Sequence, residues 1–164
     1  MQGRRDLLVF DISGKFCALP LEDLLEIVPM AALSHPPGMP AMLDGFLNLR
    51  GTAVPIVCLN RMFRLREKPL ELYSPILVIR ARDYPIGFLV DHVTRTLSFA
   101  AKDAVPLKED DSFNGCAEAQ FVAADGVIHL LSPERLLIEK QRQCLFEFQA
   151  VEQHRLTQLQ AKQC

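Results

Sequence analysis

Hydrophobic positions in this chain come in short runs broken by turn-forming residues, until about residue 132, where the period changes. The runs are rich in β-branched and aromatic residues, and that content predicts strands. Leu7–Ile12 and Phe16–Leu19 flank Ser13-Gly14-Lys15 as a hairpin. Leu21, Leu24 and Leu25 have helical spacing, so Pro20 opens a single helical turn. Glu26-Ile27-Val28 is short and extended. Residues 34–40, with three prolines and a glycine, are a loop. Further strands are predicted at 53–59, 76–81, Ile86–Val90 and Thr94–Phe99, and Arg82-Asp83 is a turn. Residues 102–119 are polar and read as a long loop; Phe121–Ala124 and Val127–Leu131 pair around Asp125-Gly126.

The two halves of this pattern match. Moving residues 8–28 by 69 positions puts Val9 on Val78, Phe10 on Ile79, Ala18 on Gly87, Leu19 on Phe88, Glu22 on Asp91, Leu24 on Val93 and Val28 on Leu97. A shift of 74 puts Val54 on Ile128, Ile56 on Leu130 and Arg61 on Arg135. The shared order of elements predicts a mainly β chain of two small, similar barrels, roughly 6–63 and 75–131, with room for strand exchange.

Beyond them Ser132 is a good N-cap and Pro133 a good first helical residue. Leu137, Ile138, Cys144, Leu145, Phe148, Val151, Leu156 and Leu159 then share one side of a helical wheel. This is a long amphipathic helix, and residues 139–164 form a helical extension. Near Leu136–Leu145 its apolar face is expected to pack on a barrel. From Phe148 through Val151, Leu156 and Leu159 the stripe outruns the surface a small barrel offers, so a contact with a second copy is expected there.

Composition narrows the function. The 164 residues are 49% hydrophobic, enough for one ordinary domain or two small barrels sharing an interface. A formal net charge of −2 gives nucleic-acid binding no electrostatic support. No run approaches the roughly 20 apolar residues of a membrane span, and the N-terminus lacks a signal-peptide pattern. A cytoplasmic location is the expectation. The five cysteines have neither metal-ligand nor redox spacing, and Cys17 and Cys58 lie in apolar runs as small core residues. The four histidines are far apart, and nothing suggests a metal or another cofactor.

A search for catalysis returns little. No Gly-x-Ser-x-Gly elbow or phosphate-cradling glycine loop occurs. Asp91-His92 looks like an acid–base pair, but neighbours on a strand face opposite sides. Glu109-Asp110-Asp111 reads as a solvated loop. The informative stretch is residues 45–59. Asn48-Leu49-Arg50-Gly51 is a turn-capable break holding one cation, and a buried strand entered through Pro55 follows at once. Such an arginine is usually solvated. Here its placement fits a guanidinium held by a carboxylate to shape a binding surface, with Glu26 the candidate. The competing reading is two unrelated surface charges.

These segments resemble the CheW-like family, the coupling proteins of bacterial chemosensory arrays. The resemblance covers roughly residues 6–138. It rests on Leu8-Val9-Phe10 with Phe16-Cys17-Ala18-Leu19, on Leu24-Leu25-Glu26-Ile27, on Asn48-Leu49-Arg50-Gly51 with Val54-Pro55-Ile56-Val57, and on Pro85 through Val93. One departure is Cys58-Leu59-Asn60, where the family commonly has Asp and then Leu-Arg. The resemblance implies two five-stranded SH3-like barrels and a non-enzymatic adaptor needing no cofactor. It implies two partners: the cytoplasmic tip of a methyl-accepting chemoreceptor, and the regulatory domain of a CheA-type histidine kinase in arrays at the inner membrane. By carry-over, Glu26, Val28, Leu47, Asn48, Arg50, Gly51, Val90 and Val93 would line a groove for the receptor hairpin. The second reading is a self-associating structural module using the C-terminal helix, in a specialised non-motility pathway.

Overall fold

The computed structural model describes residues 4–67, 74–105, 107, 116–124, 126–137 and 139–162. Its strands are β1 (Arg4–Ile12), β2 (Lys15–Pro20), β3 (Leu24–Pro29), β4 (Leu43–Leu49), β5 (Thr52–Cys58), β6 (Pro75–Ile79), β7 (Ile86–Leu89), β8 (His92–Ala100), β9 (Ala117–Ala123) and β10 (Gly126–Leu131). A 3-10 turn at Leu21–Asp23 precedes β3, and the short helix α1 (Leu59–Met62) follows β5. The long helix α2 (Glu139–Lys162) ends the described chain.

The strands form two five-stranded sheets, ordered β8-β1-β2-β10-β9 and β3-β6-β7-β5-β4. Exchanging β1–β5 with β6–β10, one for one, turns the second order into the first, so the internal repeat is structural. It holds at residue level. Ala18 of β2 lies opposite Leu130 of β10, and Gly87 of β7 lies opposite Ile56 of β5, both in parallel pairs. The shifts of 69 and 74 carry one pair onto the other. Yet the halves of the chain are not the sheets: hairpin β1–β2 joins β8, β9 and β10, while β6–β7 joins β3, β4 and β5. The two halves have exchanged hairpins.

Each sheet is rolled, not closed into a barrel by a continuous ladder. Among the described residues a single bridge spans each seam: Ser34 after β3 meets Phe46 of β4, and Val105 after β8 meets Gln120 of β9. The rings of Phe99 and Phe121 stack across the first sheet's seam with centroids 4.8 Å apart.

Rolling explains the continuous apolar runs. On β1, Leu7 and Val9 point into the first sheet's own interior, whereas Leu8, Phe10 and Ile12 point into a core shared by both sheets. On β6, Ile76 and Val78 fill the second sheet's interior, and Leu77 and Ile79 the shared core. A strand buried on both faces loses the polar half of its alternation. Leu136, Leu137 and Leu145 close the shared core from the C-terminal side.

Two elements differ from expectation. Leu43–Leu49 is a strand, although Asp44 and Gly45 break its apolar rhythm. Gly45 sits at a register shift with φ +146°, so the strand bends there. Residues 132–137 are turns, not the first helical turns: the Arg135 N–H bonds back to the Ser132 carbonyl, and Leu136 and Leu137 are buried. Most of the expected 102–119 loop, the acidic run at 109–111 and Asp125 lie outside the described residues.

Polar side chains pin the sheets together. Asp91, at the crossover from β7 to β8, accepts the Ser13 N–H at 2.7 Å and the Asn60 amide at 3.3 Å. Asn60 also donates to the Arg66 carbonyl at 3.0 Å. His92 turns instead to Asp11, 3.3 Å away. Asp91 and His92 thus have separate partners.

Burial pushes the Cys17 thiol up from 9.0 to about 12, and the Cys58 thiol to about 11. Both should resist iodoacetamide at pH 8 in the folded protein and react once denaturant opens it, as peptide mass mapping would show. A raised thiol pKa contributes stability that is intact below the unfolded value. The Cys17 contribution is therefore lost as pH climbs from 9.0 towards about 12.

Candidate functional site

Asn48 to Thr52 forms the tip joining β4 and β5. Leu49 pairs with Thr52, which leaves a two-residue turn of Arg50 and Gly51. Their φ angles are +50° and +90°, the signs a type I′ hairpin turn demands. Glycine takes that conformation freely; arginine does so at a cost. The Asn48 side chain steadies the tip by accepting the Gly51 N–H at 3.0 Å.

The strained arginine reaches across the rolled sheet. Arg50 hydrogen-bonds both carboxylate oxygens of Glu26 on β3, so the last and first strands of the sheet meet at this pair. The Glu26 carboxylate holds the Arg50 guanidinium above its ordinary pKa. Arg50 remains 74% exposed and Glu26 29%. In water such a pair adds little stability, but its two-pronged geometry fixes a cation at a defined point.

The expected groove residues divide into three groups. Glu26, Asn48, Arg50 and Gly51 gather at the tip. Val28 and Leu47 pack in the second sheet's interior. Val90 and Val93 belong to the shared core. Leu47 is 6% and Val90 2% exposed, so Val90 supports the surface from behind, whereas Leu47 is largely covered yet still lines the cleft beside the tip. The alternation that sends Asn48 outward sends Leu47 inward.

Beside the tip lies a cleft of about 270 Å³ between β4, the segment after β3, and α2. Leu33, Phe46, Leu47, Leu156 and Leu159 supply its apolar surface, and Asn48, Glu152 and Arg155 its polar groups. Glu152 is buried there, accepting the Ser34 hydroxyl at 2.9 Å with Arg155 3.7 Å away.

Helix α2 folds back on its own chain. Phe148 and Leu156 pack against the shared core. Both were expected in a self-association stripe; in the single chain they face its own core. Val151 and Leu159 of that stripe stay 66% and 50% exposed. The inward positions are taken partly by polar residues: Glu152, inside the apolar arc, and Gln149 and Gln153, beyond its edge. Gln149 donates to the Ala53 carbonyl at 3.1 Å, and Gln153 accepts the Ala53 N–H at 2.8 Å. Their i, i+3 and i+4 spacing was the available signal.

Chemistry of other kinds finds no assembly. Among the described residues no three His, Cys, Asp or Glu side chains gather as metal ligands. None of the described helices is long and apolar enough to cross a membrane.

Comparisons with known proteins fit this architecture. The CheW-like domain pattern matches residues 6–141. The chemotaxis protein CheW of Helicobacter pylori is 30% identical over 105 residues, 64% of each chain, so this chain spans less than two thirds of that relative. A probable chemotaxis protein CheW of Rhizobium etli is 29% identical over 153 residues, 92% of this chain and 88% of the relative. Among solved structures, the scaffolding protein TtCheW from Thermoanaerobacter tengcongensis superposes with a TM-score of 0.74 over 85% of this chain and 92% of its own, at 19% identity. With the family pattern spanning both rolled sheets and the Glu26–Arg50 pair, the chain belongs to the CheW-like domain family.

Proposed function

We propose that this protein is a non-enzymatic scaffold that couples the cytoplasmic tip of a chemoreceptor to the regulatory domain of a CheA-type histidine kinase. The observation that carries the reading is the Glu26–Arg50 pair, a cation fixed on a strained hairpin tip beside an apolar cleft. An exposed arginine with defined geometry suits recognition of a carboxylate on a partner, and an apolar seat nearby suits an amphipathic helix. The relatives' names, chemotaxis and scaffolding proteins, support the same role. No cofactor is needed for work of this kind, which proceeds by surface complementarity in the cytoplasm, at receptor arrays.

Reconstitution tests it. Receptor-tip fragments, kinase and this protein are mixed in every combination, and phosphorylation of the kinase is followed. Stimulation should require all three components. A protein that binds neither partner at micromolar concentration would refute the reading.

A further inference from the structure

We infer that Gln149 and Gln153 of α2 are positioning residues for the Arg50 tip, standing in for a strand that β5 lacks. The inference rests on the coupling role proposed above and adds to it a segment beyond residues 6–141, the stretch the family pattern matches.

Strand β5 is paired with β4 from Thr52 to Val57, but with β7 only at Ile56, Val57 and Cys58. Upstream of Ile56, its other edge has no strand beside it among the described residues. Ala53 turns both its N–H and its carbonyl to that edge. Pro55, two residues on, faces the same side and has no N–H to satisfy. The Gln153 side chain accepts the Ala53 N–H at 2.8 Å and donates to the Gly51 carbonyl at 2.9 Å. Gln149 donates to the Ala53 carbonyl at 3.1 Å. Two helical amides thereby supply the donors and acceptor that a neighbouring strand would supply.

The anchors sit next to the strained turn. Gly51 is the second residue of the Arg50 tip, and Ala53 lies two residues beyond it. The amide of Gln160 comes 3.0 Å from where a Cβ on Gly51 would stand, so the helix also closes over the tip. A two-residue turn with a non-glycine at positive φ relaxes if its flanks are released. Buried amides such as Gln149 are costly unless bonded, so the helix stays seated only while these contacts hold. Holding the flanks fixes the distance and angle at which Arg50 meets Glu26.

The test uses the full chain and a double-mutant cycle. Gln153→Leu keeps helix propensity and removes both amide bonds. Affinity for a receptor-tip fragment should fall about tenfold, in line with the loss of such bonds. In an Arg50→Ala background the same change should have no further effect, because the residue it positions is gone. A merely structural role would give losses that add. Additive losses, or an unchanged affinity, overturn the inference. Hydrogen exchange at the Ala53 amide and the Arg50 side-chain NMR signal judge it independently of any partner: both should change in Gln153→Leu. If Arg50→Ala binds the receptor tip like wild type, the coupling role fails, and these two signals alone decide the positioning role. Should Gln153→Leu not fold, Gln153→Glu serves. It keeps the acceptor for the Ala53 N–H and loses the donor to Gly51, so an intermediate shift in both signals is expected, and none would count against the inference.

Discussion

Arg50→Glu should abolish receptor-dependent kinase activation in a protein that remains folded. The Arg50 side chain is 74% exposed, and exposed ion pairs contribute about 0–1 kcal/mol, so the fold has little to lose. The surface has more to lose. Reversal sets a second carboxylate against Glu26 and removes the only cation at the tip's first turn position. Misplaced charge at a protein interface costs on the order of 2–5 kcal/mol, so coupling should drop by at least ~30-fold. A melting curve should shift by no more than a few degrees, about 2–4 °C per kcal/mol for a chain of this size. The charge swap Glu26→Arg with Arg50→Glu separates two mechanisms. If the partner reads the guanidinium where it stands, the swap stays inactive although the pair is rebuilt. If only the clasp between β3 and the tip matters, the swap restores coupling. Wild-type activation in folded Arg50→Glu would remove the tip from the coupling surface.

Much of this was legible in the sequence, for a definable reason. Strand positions and the internal repeat are local properties: residue type, alternation and turn chemistry travel with the segment. The shifts of 69 and 74 therefore anticipate the register at Ala18–Leu130 and Gly87–Ile56. The exchange of hairpins is not local. Hairpins β1–β2 and β6–β7 have similar faces, and nothing within either says which sheet will receive it. The Glu26–Arg50 pair was accessible because a cation inside a turn before a buried strand is unusual. The motif behind the groove residues does not say how deeply each is covered: Val28, Leu47, Val90 and Val93 pack inward, and Leu47 also lines the cleft. Strand β4 was obscured by Asp44 and Gly45. The Asp44 carboxylate is bonded by Arg61 at 2.9 Å, and Gly45 bends the strand, so both breaks in the apolar rhythm serve the strand that contains them. The helix misled in the opposite way. A wheel that seeks apolar residues passes over Glu152, which lies inside the apolar arc and meets Ser34, and leaves Gln149 and Gln153 beyond its edge, whereas the exposed edge of β5 requires hydrogen-bonding groups and draws those two in.

Gly45 carries the largest stability prediction. Its φ of +146° lies where side chains strain the backbone, and a Cβ there would stand 2.7 Å from the Ser34 carbonyl oxygen and 2.9 Å from the Leu33 Cβ. Neither obstacle is the loose end of a side chain. Ser34 and Phe46 exchange two backbone hydrogen bonds of 2.9 Å at this point, the only bridge across the second sheet's seam among the described residues. Gly45→Ala must therefore force the seam apart. Backbone strain of about 1–3 kcal/mol adds to about 1 kcal/mol for each bond lost. The total, roughly 3–5 kcal/mol, is a large share of the ~5–15 kcal/mol that holds a typical domain. The melting temperature should fall by about 6–20 °C. Function should fall with it, unlike in Arg50→Glu, because the same seam sets the site. Ser34 also donates its hydroxyl to the buried Glu152 of α2, and β3 carries Glu26. Opening the seam loosens the cleft and moves Glu26 away from Arg50 together. Thermal melting and receptor binding, measured on the same preparation, check both halves. A variant melting within about 2 °C of wild type would mean that the sheet does not depend on this seam, and the rolled arrangement that brings Glu26 to Arg50 would need another clasp.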